Sequence, residues 1–185
     1  DYVAQHLPKQ FLVISGGLAP GVPTDFYARL AALAKQHGVR VVLDTNGPAL
    51  AKALKVGVYL FKPSLRELRD LTGQPLPDAT SQIAAAQQLV QSKQAEIVAV
   101  SLGADGAMVV SADAQWHAKS IQVNVKTTIG AGDSFVAGMV WSLGRGSHLT
   151  EAFQFAMAAG AAALMSPGTS LCAAEDVHRL KLSHI

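Results

Sequence analysis

Four short apolar runs, FLVIS (Phe11 to Ser15), VRVVLD (Val39 to Asp44), VYLFK (Val58 to Lys62) and EIVAVS (Glu96 to Ser101), show little polar alternation. Strands of a parallel sheet read this way when both faces are buried. Between them the apolar period becomes helical. Phe26, Leu30, Leu33 and Ala34 form one face after Pro23, and Ile83, Ala86, Leu89 and Val90 form another. Pro48 stands where a first helical turn tolerates it, ahead of ALAKAL. Strand and helix thus alternate for about a hundred residues, which predicts an α/β fold with a mostly parallel sheet and helices on its faces. After Ser101, the runs AMVVS and SIQVNV with turn signals at ADG and SADA predict antiparallel strands extending one sheet edge. The last third is predicted helical, with the alanine-rich MAAGAAALM as a closely packed helix.

Composition narrows the classes. A chain of 185 residues that is 50% hydrophobic is long enough for a single unit with a substantial core. Charged residues make up 15%, against about 25% in an average soluble protein, so much of the chain is buried or faces a missing partner. The formal net charge is +2 and no run of basic residues occurs, which argues against a nucleic-acid partner. Cys172 is the only cysteine, so an intrachain disulfide or a cysteine-based zinc cluster is excluded and a reducing, cytoplasmic setting is expected. The histidines, at positions 6, 37, 117, 148, 178 and 184, contain no i, i+4 metal pair. DYVAQHLPKQ has no signal or transit pattern. The apolar window from Ala152 to Met165 is shorter than the roughly 18 to 20 residues that cross a bilayer, so no membrane partner is expected.

In open α/β sheets ligands gather at the carboxyl ends of the strands. That points to the loops after Ser15, Asp44, Lys62 and Ser101, and to TTIGAGDSF, Thr127 to Phe135. The last stretch is not a Walker A loop, for no Gly-Lys-Ser/Thr occurs, and Phe135 stands where a dinucleotide fingerprint needs a small residue. What remains is Gly130, Ala131 and Gly132, small enough to bring backbone N–H groups against an anion, with Asp133 where a helix begins. Asp133 has two readings. It is an N-cap, or it takes the proton from an attacking hydroxyl while the adjacent N–H groups hold the charge of a transferred phosphoryl.

KPSLRE, Lys62 to Glu67, closes a strand and opens a helix. Ser64 and Glu67 have capping-box spacing; the alternative puts Lys62 on nucleotide phosphates and Glu67 on Mg²⁺ through water. Asp44, in LDTNG, either helps with the same metal or forms a turn. In SLGADG, Gly103 and Gly106 let a nucleotide lie flat against the backbone, and the stretch is also an Asp-Gly turn. SGGLAPG, Ser15 to Gly21, is by itself a turn signal.

Taken in order, SGGLAPG, DTNG, KPSLREL, SLGADGA, TTIGAGDSF and PGTSLC resemble the PfkB sugar kinases, a ribokinase-like family, over nearly the whole chain. IGAGDS is the most specific of them, and GTSLC resembles the 6-phosphofructokinase branch. The resemblance implies a three-layer α/β/α fold with the N-terminal strands and lid missing, so that residues 1–185 are the nucleotide-binding C-terminal part of a kinase domain. It implies MgATP-dependent phosphorylation of a hexose phosphate, with fructose 6-phosphate the foremost acceptor and the 1-phosphofructokinase and tagatose-6-phosphate kinase activities as alternatives. Asp133 would be the base and Gly130, Ala131 and Gly132 the anion hole. Lys62, Ser64, Ser101, Gly103 and Gly106 would meet ATP, Asp44 and Glu67 would organise Mg²⁺, and main-chain oxygens near Thr127 and Ile129 would hold K⁺. The missing part would supply most sugar contacts and a lid that makes the homodimer. Ser64 stands where the family usually has Asn, an exchange expected to weaken metal or nucleotide coordination. A reading of another class is a non-catalytic nucleotide-binding fragment.

Overall fold

A computed structural model gives the fold and describes residues 5–182. Six strands, β1 (Phe11–Ser15), β2 (Arg40–Asp44), β3 (Val58–Phe61), β4 (Ala95–Ser101), β5 (Ala107–Ser111) and β6 (Gln115–Ala118), form one sheet in sequence order. The first four pair in parallel, with Ile14 opposite Leu43, Val42 opposite Leu60 and Leu60 opposite Ile97. Seven helices are described: α1 (Phe26–Gln36), α2 (Gly47–Leu54), α3 (Leu65–Thr72), α4 (Ala79–Gln91), α5 (Ala131–Gly144), α6 (Leu149–Met165) and α7 (Ala174–Leu182). None is long and apolar enough to cross a membrane.

By its internal contacts the chain divides into two compact units. The first holds Asp1–Leu102 and Met108–Trp116, the second Gly103–Ala107 and His117–Ile185. In the first, strand order equals chain order, so right-handed crossovers all step the same way and carry α1 to α4 to one face. Their buried sides, including Ala31, Leu54, Leu68 and Ala86, share one core with Val41, Leu43, Phe61 and Val98. The apolar face of α1 is rotated by one position from the predicted one. Tyr27, Ala31 and Ala34 are buried while Phe26 is exposed, because the small alanines permit close approach to the sheet. β1 lies at the end of the strand order, and Val13 on it is 44% exposed. Beside it the Arg40 guanidinium lies 4.1 Å from the Phe11 ring centroid and 4.9 Å from that of Tyr59.

The turn between α3 and α4 carries backbone strain. Leu76 has φ +41° yet is fully buried, a conformation that β-carbon sterics disfavour for anything but glycine. Its carbonyl accepts from Arg69 Nη2 at 3.1 Å and Gln82 Nε2 at 3.2 Å. Asp78 then caps α4, and its carboxyl is held below the usual range chiefly by the Ser81 N–H and hydroxyl.

AMVVS forms β5 as predicted, but SIQVNV forms no strand. The chain turns at residues 112–114, where the Ser111 N–H bonds the Ala114 carbonyl, and QWHA is β6 instead. Its exposed and half-buried positions alternate, the pattern of a half-solvated strand. Ile121 of SIQVNV is buried in the core of the second unit, with Ala158, Ala162 and Val177.

In that unit α5 and α6 touch through small residues. A β-carbon on Gly138 would come within 2.9 Å of Ala156 Cα and 3.1 Å of Ala159 Cβ. We expect Gly138→Leu to destabilise the fold by at least about 1–3 kcal/mol, the scale of overpacking, read as a lower midpoint in denaturant unfolding; an unchanged midpoint would contradict this contact.

Candidate functional site

The predicted groups fall in two sets, one in each unit. In the first unit the ends of β2, β3 and β4 bring Asp44, Lys62, Ser64, Glu67 and Ser101 into adjoining positions. Leu43 pairs with Phe61, the Lys62 N–H continues the ladder to the Leu43 carbonyl at 3.0 Å, and the Ser101 N–H bonds the Pro63 carbonyl at 2.9 Å. Ser64 and Ser101 form a single parallel bridge. Lys62 Nζ lies 3.3 Å from Asp44 Oδ1, with the side chains 7% and 17% exposed.

Ser64 caps α3 in a complete capping box. Its hydroxyl accepts from the Glu67 N–H at 3.2 Å and donates to Glu67 Oε2 at 2.9 Å, while its own N–H donates to Oε2 at 2.8 Å. The capping expectation is therefore met, and Glu67 Oε1 is left without a partner among the described residues. Glu67 also lines an open cavity of about 470 Å³ with Asn46, Gly47, Arg66 and Asp70. Sequence reasoning passed over Asn46, Arg66 and Asp70; the available signal was Asn-Gly-Pro at a helix start beside a capping box. It also missed Thr45, whose buried hydroxyl donates to the Gly16 carbonyl at 2.7 Å. Tyr27 donates to the same carbonyl at 3.2 Å and the Gly16 N–H bonds the Asp44 carbonyl at 2.9 Å, so SGGLAPG is tied to DTNG.

Among the described residues no group of three or more His, Cys, Asp or Glu is placed to hold a metal. The residues fit a weaker demand. Mg²⁺ beside nucleotide phosphates keeps its waters and uses one or two carboxylates, and Glu67, with one oxygen fixed and one open, could serve that way.

In the second unit, Gly103–Asp105 form a short 3₁₀ turn, and Gly106 follows at φ +103°. A β-carbon there would sit 2.0 Å from the Ala118 carbonyl oxygen, so only glycine fits. The predicted Asp-Gly turn is present. Gly130 has φ +80° and is the N-cap of α5, with no side-chain cap. This corrects the N-cap reading of Asp133, which is instead the third helical residue and is exposed. Because Gly130 takes the left-handed turn, Asp133 is left inside the first helical turn, where an acid also suits the helix dipole. Thr127 Oγ1 accepts from the Ile129 N–H at 3.2 Å, and the Lys126 N–H bonds the Leu164 carbonyl at 2.8 Å, fixing the approach to the loop. In PGTSLC, the Ser170 N–H bonds the Pro167 carbonyl and Ser166 Oγ the Leu171 carbonyl.

Replacing Ser64 tests the cap directly. Ser64→Ala should cost about 0.5–2 kcal/mol in denaturant unfolding, and Ser64→Asn, an equally good cap, a few tenths at most. Equal losses for both would mean the hydroxyl matters for something other than capping.

The profile of the pfkB family carbohydrate kinase matches residues 4–176. The chain is 40% identical over 169 residues to "ATP-dependent 6-phosphofructokinase isozyme 2" of Mycobacterium tuberculosis, an alignment covering 91% of this chain and 50% of that protein. It is 38% identical over 165 residues to "1-phosphofructokinase" of Haemophilus influenzae, covering 89% of this chain and 52% of the relative. Among solved structures, phosphofructokinase-2 from Escherichia coli in complex with potassium superposes with a TM-score of 0.93 at 36% identity, over 98% of this chain and 59% of the other. The chain spans about half the length of the curated relatives it matches.

Proposed function

The chain belongs to the pfkB family of carbohydrate kinases, and from that premise we propose that its two sets of groups serve phosphoryl transfer from ATP to a sugar phosphate. The observation that carries this reading is the opening of α5: a left-handed Gly130, small residues at 131 and 132, and an exposed carboxylate at 133. Asp133 accepts the proton of the acceptor hydroxyl as its oxygen forms the new bond to the γ-phosphorus, and the bond to the leaving ADP oxygen breaks. The N–H groups of Gly130, Ala131 and Gly132 hold the charge on the transferred group. Lys62 meets the nucleotide phosphates, Ser64 and Ser101 border them, and Gly103 and Gly106 give the nucleotide a flat backbone surface. Glu67 and Asp44 serve a divalent cation, whose chemistry is to neutralise phosphate charge. Main-chain oxygens near Thr127 and Ile129 are the proposed K⁺ ligands, supported by the potassium complex of the Escherichia coli relative.

Fructose 6-phosphate is the acceptor we favour, since the 40% identity to the Mycobacterium tuberculosis 6-phosphofructokinase exceeds the 38% to the Haemophilus influenzae 1-phosphofructokinase. Sugar contacts, lid and dimer contacts belong, on this reading, to the part of the relatives' length that the chain does not span. A chain restored to that length and assayed for ADP release with fructose 6-phosphate, fructose 1-phosphate and tagatose 6-phosphate should be fastest with the first. Asp133→Asn in the same protein should lower turnover roughly 10²-fold or more while ATP affinity stays nearly constant. Near-normal turnover would refute Asp133 as the base. ATP binding with no turnover on any sugar phosphate would favour a non-catalytic fragment.

A further inference from the structure

A second cavity, of about 270 Å³, lies within the second unit among α5, α6 and α7. It takes no part in the phosphoryl transfer proposed above. Ser134, Ala137, Gly138 and Trp141 of α5 line it at the i, i+3, i+4, i+7 spacing of one helix face, opposite Phe155 of α6 and His178 of α7. Its two ends differ in chemistry. Trp141 stacks on Phe155 at 4.5 Å, and the His178 ring meets Phe155 edge to face at 5.8 Å. Over these rings stand two cations, the Arg145 guanidinium 5.0 Å from the Trp141 centroid and Lys181 Nζ 5.9 Å from that of Phe155. Neither cation makes an ion pair among the described residues, and no acidic side chain lines the cavity. Ser134 marks the other end, one helical face back from Trp141 and about 10 Å away along the axis. It is 4% exposed, yet its hydroxyl has no hydrogen-bond partner among the described residues. Buried polar groups are nearly always paired, so an unpaired hydroxyl facing a cavity calls for a ligand or a water.

We propose that this cavity binds a small phenolic carboxylate, its hydroxyl on Ser134, its ring along the small residues between, and its carboxylate at Arg145 and Lys181. Size limits the body of the ligand. An apolar cavity of about 150 Å³ takes benzene, so 270 Å³ accommodates one ring with a short acid arm. Charge chooses the head, because two cations without acidic partners favour an anion at the aromatic end. Ser134 chooses the tail. A hydrocarbon tail would leave that hydroxyl unpaired, whereas a phenol can both donate to it and accept from it.

The test is calorimetry on the 185-residue chain with 3-(4-hydroxyphenyl)propionate as the probe. Saturable binding is expected below about 5 mM, the range open to so small a ligand. It should be at least about threefold tighter than that of 3-phenylpropionate, which lacks the hydroxyl, and of 3-(4-hydroxyphenyl)propionamide, which lacks the charge. No saturation in that range would overturn the proposal and leave Ser134 to a water. Ser134→Ala should bring the two acids within about twofold of each other, and Arg145→Gln combined with Lys181→Gln should do the same for the acid and the amide. Preferences that survive these changes would put the molecule elsewhere and equally overturn it. Ala137 is exposed at the cavity, so Ala137→Phe fills the space without entering the core and keeps the question open to a test if Ser134→Ala does not fold. That variant should lose binding while its unfolding midpoint stays close to the wild type; binding that is unaffected by it would refute the site.

Discussion

A largely buried ammonium has to be answered by a negative charge, and the carboxyl end of the first unit's sheet is arranged around that requirement. Removing one member of a buried pair typically costs about 3–5 kcal/mol, although the intact pair contributes little over an apolar substitute. The Lys62–Asp44 contact is therefore better understood as a constraint on geometry than as a source of stability. Strand register delivers the two side chains to the same place, and the neighbouring bonds keep them there: Thr45 and Tyr27 on the Gly16 carbonyl, and the Ser101 N–H on the Pro63 carbonyl. Three loops that are far apart in sequence are in this way fastened to one charged contact.

The second unit meets a different constraint. Its helices approach through Gly138, Ala156 and Ala159, and Gly160 lies where a β-carbon would be 3.3 Å from the Ala131 carbonyl oxygen. Small residues thus set the height of α5 and of the glycine turn that opens it. Large aromatics join the same two helices. Phe135 and Phe153 meet edge to face at 6.2 Å, while Trp141 and Phe155 stack at 4.5 Å near Arg145 and Lys181. Small residues and aromatic pairs thus share the α5–α6 contact, and the close approach at Gly138 and Gly160 sets where the loop begins.

The strands were legible where each is a run of apolar residues with no helical period: FLVIS matches β1, among the parallel strands, and AMVVS matches β5, residue for residue. The capping box at Ser64 was legible because capping is a local matter. QWHA was not, since its His and Gln give no strand signal and its place in the sheet is set by a tight turn after Ser111. The rotated face of α1 was also hidden. A large Phe26 outweighs Ala31 in any count of hydrophobic residues, but closeness to the sheet favours the alanine. At the site, the types and spacing of Lys62, Glu67 and Asp133 could be read directly. The pairing of Lys62 with Asp44 could not, because it depends on register between two strands, and neither could Gly130 as the true N-cap, because that depends on one backbone angle.

Leu76 places two opposed demands on a single position. Its side chain fills the core of the first unit, and its φ of +41° is one that glycine alone adopts without cost. Glycine would relieve the backbone and leave a void; valine or isoleucine would fill part of the space and suffer more from the backbone than leucine does. With Arg69 and Gln82 both bonded to the Leu76 carbonyl, drift at any of the three is limited by the other two. Substitution histories in this turn should therefore be correlated, with 69, 76 and 82 changing together or not at all.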